Sequence, residues 1–457
     1  MEIISSVFYF VVVLGILVFV HEFGHFLMAR LSGMRVEVFA LGMGFRLFGW
    51  NKKNGFTFGN LPSDLDLDEH TDYRISAFPI GGYCKISGMV DESFDTQTVS
   101  QAPKPYEFRS KNAFKKSITI AGGVLFNILL AILLFSIITY KSGEVDFKTT
   151  KISFVAENSI GEKIGFLAGD EIKSINNTKV TTWGSFINLL ALDNLGENKK
   201  ILLLRDGVET NINANGKEII KMLSSNTPLG LEHEDSKTVI LNVQAGSLAE
   251  GAGLKQNDTI ISVNGIKIGS LQEFIAQLKS NKQKKISLEW NSNNSFHSKD
   301  IQLDASGTIG VQITQAYTGE ILHKNFEISE ALVAGTKQTF STFSTIVSSI
   351  KQIIVGNIEF KKAIGGPVMI AQQASQFADR GFLSFMSFTA MLSVSLALIN
   401  ILPLPALDGG HIVIIIIEAI IRRELPLKIK LAIQQAGMFL LLGLMLYVIV
   451  NDILKLV

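Results

Sequence analysis

The chain has 457 residues, a net charge of +1 and 47% hydrophobic residues. The near-neutral net charge suggests no nucleic-acid partner, and the single cysteine, Cys84, excludes an intrachain disulfide. A mean hydropathy of +0.31 fits a membrane protein with sizeable extramembrane parts, and the length suits about three domains.

Residues 3–20 contain no Asp, Glu, Lys, Arg or His, and His21-Glu22-Phe23-Gly24-His25 follows directly. This predicts a first transmembrane helix over 1–33. Met1-Glu2 carries no basic residue and no small-x-small site precedes His21, so the segment reads as an uncleaved span and not as a signal peptide. On a helix, His21 and His25 share a face at i and i+4 and can reach one metal ion. Glu22 stands beside them, placed to take a proton from water. The plain alternative is a pair of core histidines. Three ionisable groups in one apolar helix are costly in lipid, which favours the metal.

Residues 34–116 are predicted as a membrane-associated β region with a basic loop. Its strand-forming part, 36–88, is dense in Gly and Phe. Uncharged stretches predict further spans at 117–140, 381–407 and 431–451. Arg30, Arg35, Arg46, Lys52 and Lys53 flank the first span. Lys104, Arg109, Lys111, Lys115 and Lys116 precede the second, and Arg422, Arg423, Lys428 and Lys430 precede the fourth. In a four-span topology these fall on one side, which the positive-inside rule makes cytoplasmic. Residues 141–380 then lie outside.

That external segment contains a repeat. Gly165–Asn176 recurs as Gly253–Asn264 at an offset of 88, which also matches Ser159 with Ser247, Phe186 with Phe274 and Leu190 with Leu278. A glycine turn, an acid and a strand ending in Asn predict two β-rich modules, 150–225 and 229–317. Asn177 in the first copy stands where the second has Gly265. The repeat resembles bacterial PDZ domains, whose groove takes an extended chain or C-terminus by strand addition. Two modules that only fill space are the alternative. Beyond them, apolar spacing predicts a helix in a surface region over 326–365, with a fifth span as the competing reading.

The third span leads into Asn400-Ile401-Leu402-Pro403-Leu404-Pro405-Ala406-Leu407-Asp408-Gly409-Gly410-His411. Pro403 and Pro405 break the helix and free backbone groups at membrane depth, which only protein or a wet cavity can cover. Asp408 ends a long uncharged run and is the candidate third metal ligand. An interfacial helix end is its bland reading. His411 is a possible ligand too, but as an interfacial residue it needs no function; Glu418, with no partner in view, reads as interfacial.

HEFGH in one span with NxxPxPxLDGG in a later one resembles the site-2 protease family of intramembrane zinc metalloproteases. Three further elements resemble family motifs: Leu41-Gly42-Met43-Gly44-Phe45, Phe78-Pro79-Ile80-Gly81-Gly82-Tyr83-Cys84-Lys85, and Ala121-Gly122-Gly123-x-x-x-Asn127. The last is similar to A-G-P-x-x-N, read with Gly123 in place of the proline. The resemblance covers essentially the whole chain and is to the branch with tandem PDZ modules. It implies a polytopic α-helical membrane protein of four spans, with two PDZ-like extramembrane domains and a membrane-associated β segment. It implies Zn2+ held by His21, His25 and Asp408, with Glu22 as general base and acid. Asn400, Pro403 and Pro405 fall at the family's substrate positions. The Asn400 amide donates to a substrate carbonyl or caps broken helix backbone. Segment 36–88 holds an unwound substrate or is a plain hairpin. The implied partners are the bilayer and single-span membrane proteins, namely a trimmed anti-sigma factor and remnant signal peptides. The implied place is a bacterial inner membrane, with the PDZ modules periplasmic and the active site toward the cytoplasm.

Two rival readings remain. One is a proteolytically idle PDZ receptor with a structural metal. Closed structural zinc sites use four ligands, and three stand out here. The other is a transporter, which calls for duplicated membrane halves, whereas this repeat is extramembrane.

Overall fold

The computed structural model describes residues 2–62, 65, 67–89, 103–224, 227–293, 295–363 and 365–456. The chain divides into two compact units. The first comprises 1–143, 325–346 and 364–457, and the second 144–324 and 347–363.

Four helices of the first unit are long and apolar enough to cross a membrane, by length and composition. α1 (Glu2–Leu31) has 30 residues, about 45 Å at ~1.5 Å per residue, against a hydrocarbon core of about 30 Å. α2 (Ala113–Ser142) starts four residues before the uncharged stretch, because Asn112 caps it and accepts from the Lys115 amide at 2.9 Å. Gly24 of α1 meets Gly122 of α2 with no room for a side chain between them, so the two backbones pack closely.

Between α1 and α2 lies a sheet of β1 (Val36–Asn51), β2 (Gly55–Phe58) and β3 (Asp72–Ile86), in the order β2-β1-β3. Residues Val38–Leu41 of β1 pair with both Gly82–Lys85 and Asp72–Ile75. Arg46 does not act as a flanking charge that sets orientation: it is 1% exposed and belongs to the sheet. Its guanidinium donates to both carboxylate oxygens of Asp72, at 3.0 and 3.1 Å, and to the Thr57 and Gly59 carbonyls. Arg46 is therefore neutralised, and the orientation rests on the other basic residues.

α3 (Ile328–Ile354) is not among the membrane-crossing candidates. Its Phe343 and Ile346 pack on a cluster of Ala131 and Phe135 from α2 with Ala390 and Val394. Thr336, Thr339, Thr342 and Thr345 each donate to the carbonyl four residues back, so their hydroxyls need no other partner. α4 (Pro367–Asp379) was not foreseen. Asp452 caps it, accepting from the Gly366 and Met369 amides at 2.9 and 3.1 Å.

The third span is interrupted. α5 (Phe382–Ile401) stops ahead of Pro403 and Pro405, and α6 (Asp408–Ile421) restarts at the acid. α7 (Leu427–Leu456) follows. Glu418, expected to lack a partner, has two: the Lys430 ammonium at 2.6 Å and the Leu425 amide at 2.8 Å. Leu425 lies in the α6–α7 turn and Lys430 beyond it, where sequence distance hides the contact.

The second unit holds two β modules, each with its own core. The repeat reappears as matched geometry. Ser159 and Ser247 cap equivalent five-residue helices, accepting from Glu162 and Glu250 amides at 3.1 and 3.2 Å. Phe186 and Phe274 are both fully buried. Asn177 and Gly265 both have positive φ, 66° and 77°, which explains why asparagine is tolerated in the first copy. The boundary between modules differs from the expectation. Strand Leu231–His233 pairs with Ile152–Val155 of the first module, and the second module's strands begin at Ser236. The matching chain segments are Gly230 and Gly310, both left-handed, so the offset shortens towards the end of each copy.

Candidate metal centre

α1 carries His21 and His25 one turn apart, 9% and 8% exposed. Their Nε2 atoms stand 3.2 Å apart. The break after α5 delivers Asp408 to them, with Oδ2 3.3 Å from His21 Nε2 and 3.5 Å from His25 Nε2. Four ligands at about 2.0–2.1 Å around tetrahedral zinc would be about 3.3 Å from one another. The three donor atoms already have that spacing. Asp408 Oδ2 is buried and accepts no hydrogen bond from the described residues, a state that suits a carboxylate oxygen facing a cation. His21, His25 and Asp408 form the one metal-competent His/Cys/Asp/Glu group among the described residues. These residues fit zinc and leave a fourth position for water.

The other face of each imidazole is also held. His25 Nδ1 donates to the Thr119 carbonyl at 3.0 Å. His21 Nδ1 meets the Asn127 side-chain amide at 3.1 Å. With Nε2 turned to the metal position, Nδ1 carries the proton and needs an acceptor. Amide oxygen and nitrogen exchange by a flip, and the flipped Asn127 gives its Oδ1, otherwise buried without a partner, to that proton. α2 thus orients both histidines. Neither Asn127 nor Thr119 was given a role from sequence. The available signal was Asn127 itself, a polar amide in an uncharged span and the last residue of the third family-like element.

Gly123 lies against the same pair. A β-carbon there would be 2.5 Å from His21 Cε1 and from His25 Nε2. This corrects the motif assignment. Gly123 cannot stand in for a proline, and counting A-G-P-x-x-N back from Asn127 puts the proline position at Val124.

Glu22 is outside the donor cluster, one residue round the helix from His21. Gly82 of β3 packs beside it, and a β-carbon at Gly82 would be 3.2 Å from Glu22 Cγ. The sheet therefore reaches the candidate site. Asn400, at the end of α5, brings its Nδ2 to 3.4 Å from His21 Nε2. Pro403 and Pro405 lie in the break, Pro403 exposed and Pro405 partly buried. Gly409 and Gly410 are buried against the carbonyls of Ile401, Leu402 and Leu404, where any side chain would collide. The two glycines let α6 start at Asp408 directly under the broken helix end. His411 is not in the cluster; its Nε2 is 3.4 Å from Gln434 Nε2.

Residues 9–444 match Peptidase family M50. A Neisseria meningitidis serogroup A protein, provisionally named a zinc metalloprotease, is 31% identical over 98% of each chain. The regulator of sigma-E protease RseP of Escherichia coli (strain K12) is 26% identical over 98% of each chain. Protease RseP of Yersinia pestis is 27% identical over 100% of each chain. The chain belongs to Peptidase family M50, the site-2 proteases, and is an integral membrane zinc metalloprotease.

Proposed function

We propose that the zinc is held by His21, His25 and Asp408 and that Glu22 is the general base and acid of peptide hydrolysis within the bilayer. The carrying observation is the convergence of three donor atoms at 3.2–3.5 Å, with both Nδ1 atoms held from behind. Bound zinc supplies Lewis-acid polarisation of the scissile carbonyl and of water. Glu22 takes the proton of the attacking water and gives it to the leaving amine. Asn400 offers its amide to the substrate backbone beside the cleaved bond. Pro403 and Pro405 keep the chain after α5 out of helix, so its backbone can meet a substrate strand. A substrate helix must unwind before its carbonyls are accessible, and the sheet edge that packs Gly82 beside Glu22 suits an extended chain.

The substrates on this reading are single-span membrane proteins. A trimmed anti-sigma factor stub and remnant signal peptides fit best, given the likeness to regulator of sigma-E proteases. The setting is a bacterial inner membrane, with the two modules periplasmic and the site toward the cytoplasm. The basic residues other than Arg46 support that orientation. The modules act as PDZ-like domains that exclude bulky external domains by size; recruitment of a new C-terminus is the competing mechanism. In the second module Ile309 is 2% exposed within the core, whereas Val311 at the start of the neighbouring strand is only partly buried and serves as the groove probe.

The test is purified chain mixed with a tagged single-span substrate, with the cut site mapped by mass spectrometry. Cleavage inside the apolar span supports the proposal. Cleavage only in the extramembrane tail contradicts it.

A further inference from the structure

At the end of the spans marked by basic residues, α2 and α6 enclose a cleft of about 210 Å³. It is lined by Lys116 from the first turn of α2 and by Ile415, Glu418, Arg422, Arg423 and Glu424 from α6 and the turn after it. The acids there are committed or weakly engaged. Glu418 is taken by the Lys430 ammonium and the Leu425 amide. Glu424 pairs with Lys116 at 3.4 Å, but its side chain is 57% exposed, so the pair is screened. Arg422 and Arg423 pair with no carboxylate among the described residues. The cleft therefore keeps a positive charge. On the neighbouring stripe of α6, Ile416 and Ile420 are 50% and 75% exposed, one turn apart. A cationic cleft at the end of a span, continued by an exposed apolar stripe, has two complementary parts for one amphipathic ligand.

We propose that this cleft binds the phosphodiester headgroup of an anionic glycerophospholipid, with an acyl chain along Ile416 and Ile420. Guanidinium groups take phosphate oxygens through paired N–H donors, and a cytoplasmic leaflet supplies anionic lipid at this level. A free phosphate would use the cations and leave the apolar stripe bare. The site also has a structural consequence. α6 begins with Asp408 and ends one residue before Arg422, so an occupied cleft anchors the far end of the helix that carries the third donor.

The test is thermal stability of the full chain in neutral detergent, titrated with short-chain phosphatidylglycerol, phosphatidylcholine of equal chain length, or inorganic phosphate. Phosphatidylglycerol should raise Tm, and the other two should not. Arg422→Gln with Arg423→Gln should weaken phosphatidylglycerol binding by about 30-fold, at roughly fivefold per charge, while the double lysine variant, which keeps the charge but not the paired donors, should fall between the two. Glu424→Gln, which releases Lys116, should tighten binding and serves if the arginine variant does not fold. An equal Tm rise with phosphatidylcholine, or with inorganic phosphate alone, would overturn the proposal. So would a phosphatidylglycerol effect unchanged by the arginine and Glu424 variants.

Discussion

His25 and Gly123 face each other across the α1–α2 contact, so closely that a β-carbon on Gly123 would lie 2.5 Å from His25 Nε2. The nearest atoms are ring atoms of the two histidines, and neither ring can retreat without losing its Nδ1 bond. Gly123→Ala is therefore expected to displace a donor and to lower the zinc content of purified protein well below that of the unaltered chain. Elemental analysis of both proteins checks this; equal zinc in the two would mean that the rings are not confined as described.

Asn127 should behave as a positioning residue. Removing a partner of the non-ligating imidazole nitrogen typically weakens metal binding by about 10–100-fold. Asn127→Ala is expected to show a loss of that size in competition with a chelator. Asn127→Asp, which still accepts from Nδ1–H, should recover most of the affinity. Equal losses in both variants would point to packing alone.

Topology can be read with cysteines in a Cys84→Ser background. Asn54 lies in an exposed turn of the β1–β2 hairpin and Ala305 in an exposed turn of the second module. Under the proposed orientation, Ala305→Cys reacts with an impermeant thiol reagent on intact cells. Asn54→Cys reacts only after permeabilisation. The reverse pattern would invert the protein.

A buried carboxylate joins the two modules. Glu232 leaves the first module's last strand and accepts from the Gln272 amide and the Gln315 side chain of the second, both at 3.1 Å. Burial raises its carboxyl above the ordinary glutamate value, outweighing the hydrogen bonds from Gln272, Ser270 and Leu271 that lower it; the Glu273 charge adds to the rise. Between the unfolded and folded values the folded state binds more protons, so stability falls as pH rises through that window and stays lower above it. Glu232→Gln cannot ionise, and Tm measured against pH should lose this slope. An unchanged slope would place the titration elsewhere.

Much of this arrangement was legible in the sequence because lipid makes exceptions visible. Charged groups stand out in uncharged runs, so His21, Glu22, His25 and Asp408 drew notice at once, and two prolines marked where α5 ends. What stayed hidden depends on contacts between distant segments. Arg46 resembles a flanking charge in the sequence because Asp72, its partner, comes two strands later. Glu418 looked alone because Lys430 is across a turn. Asn127 stands out as a motif residue, but its contact with His21 and that of the Thr119 carbonyl with His25 come from another helix and leave no trace in a hydropathy pattern. The strand Leu231–His233 completes the first module although it follows residue 229, because the offset between the copies shortens towards their ends and the repeated motif does not reach that far.

The most direct test of the central claim separates metal binding from hydrolysis. Glu22 is beside the donors but not among them. Zinc content and cleavage of a tagged single-span substrate should be measured on the same preparations of the unaltered chain, Glu22→Gln, His25→Ala and Asp408→Ala. The account predicts zinc near the unaltered level with no cleavage for Glu22→Gln, and reduced zinc for the two ligand variants. A Glu22→Gln protein that still cuts within the span would contradict it.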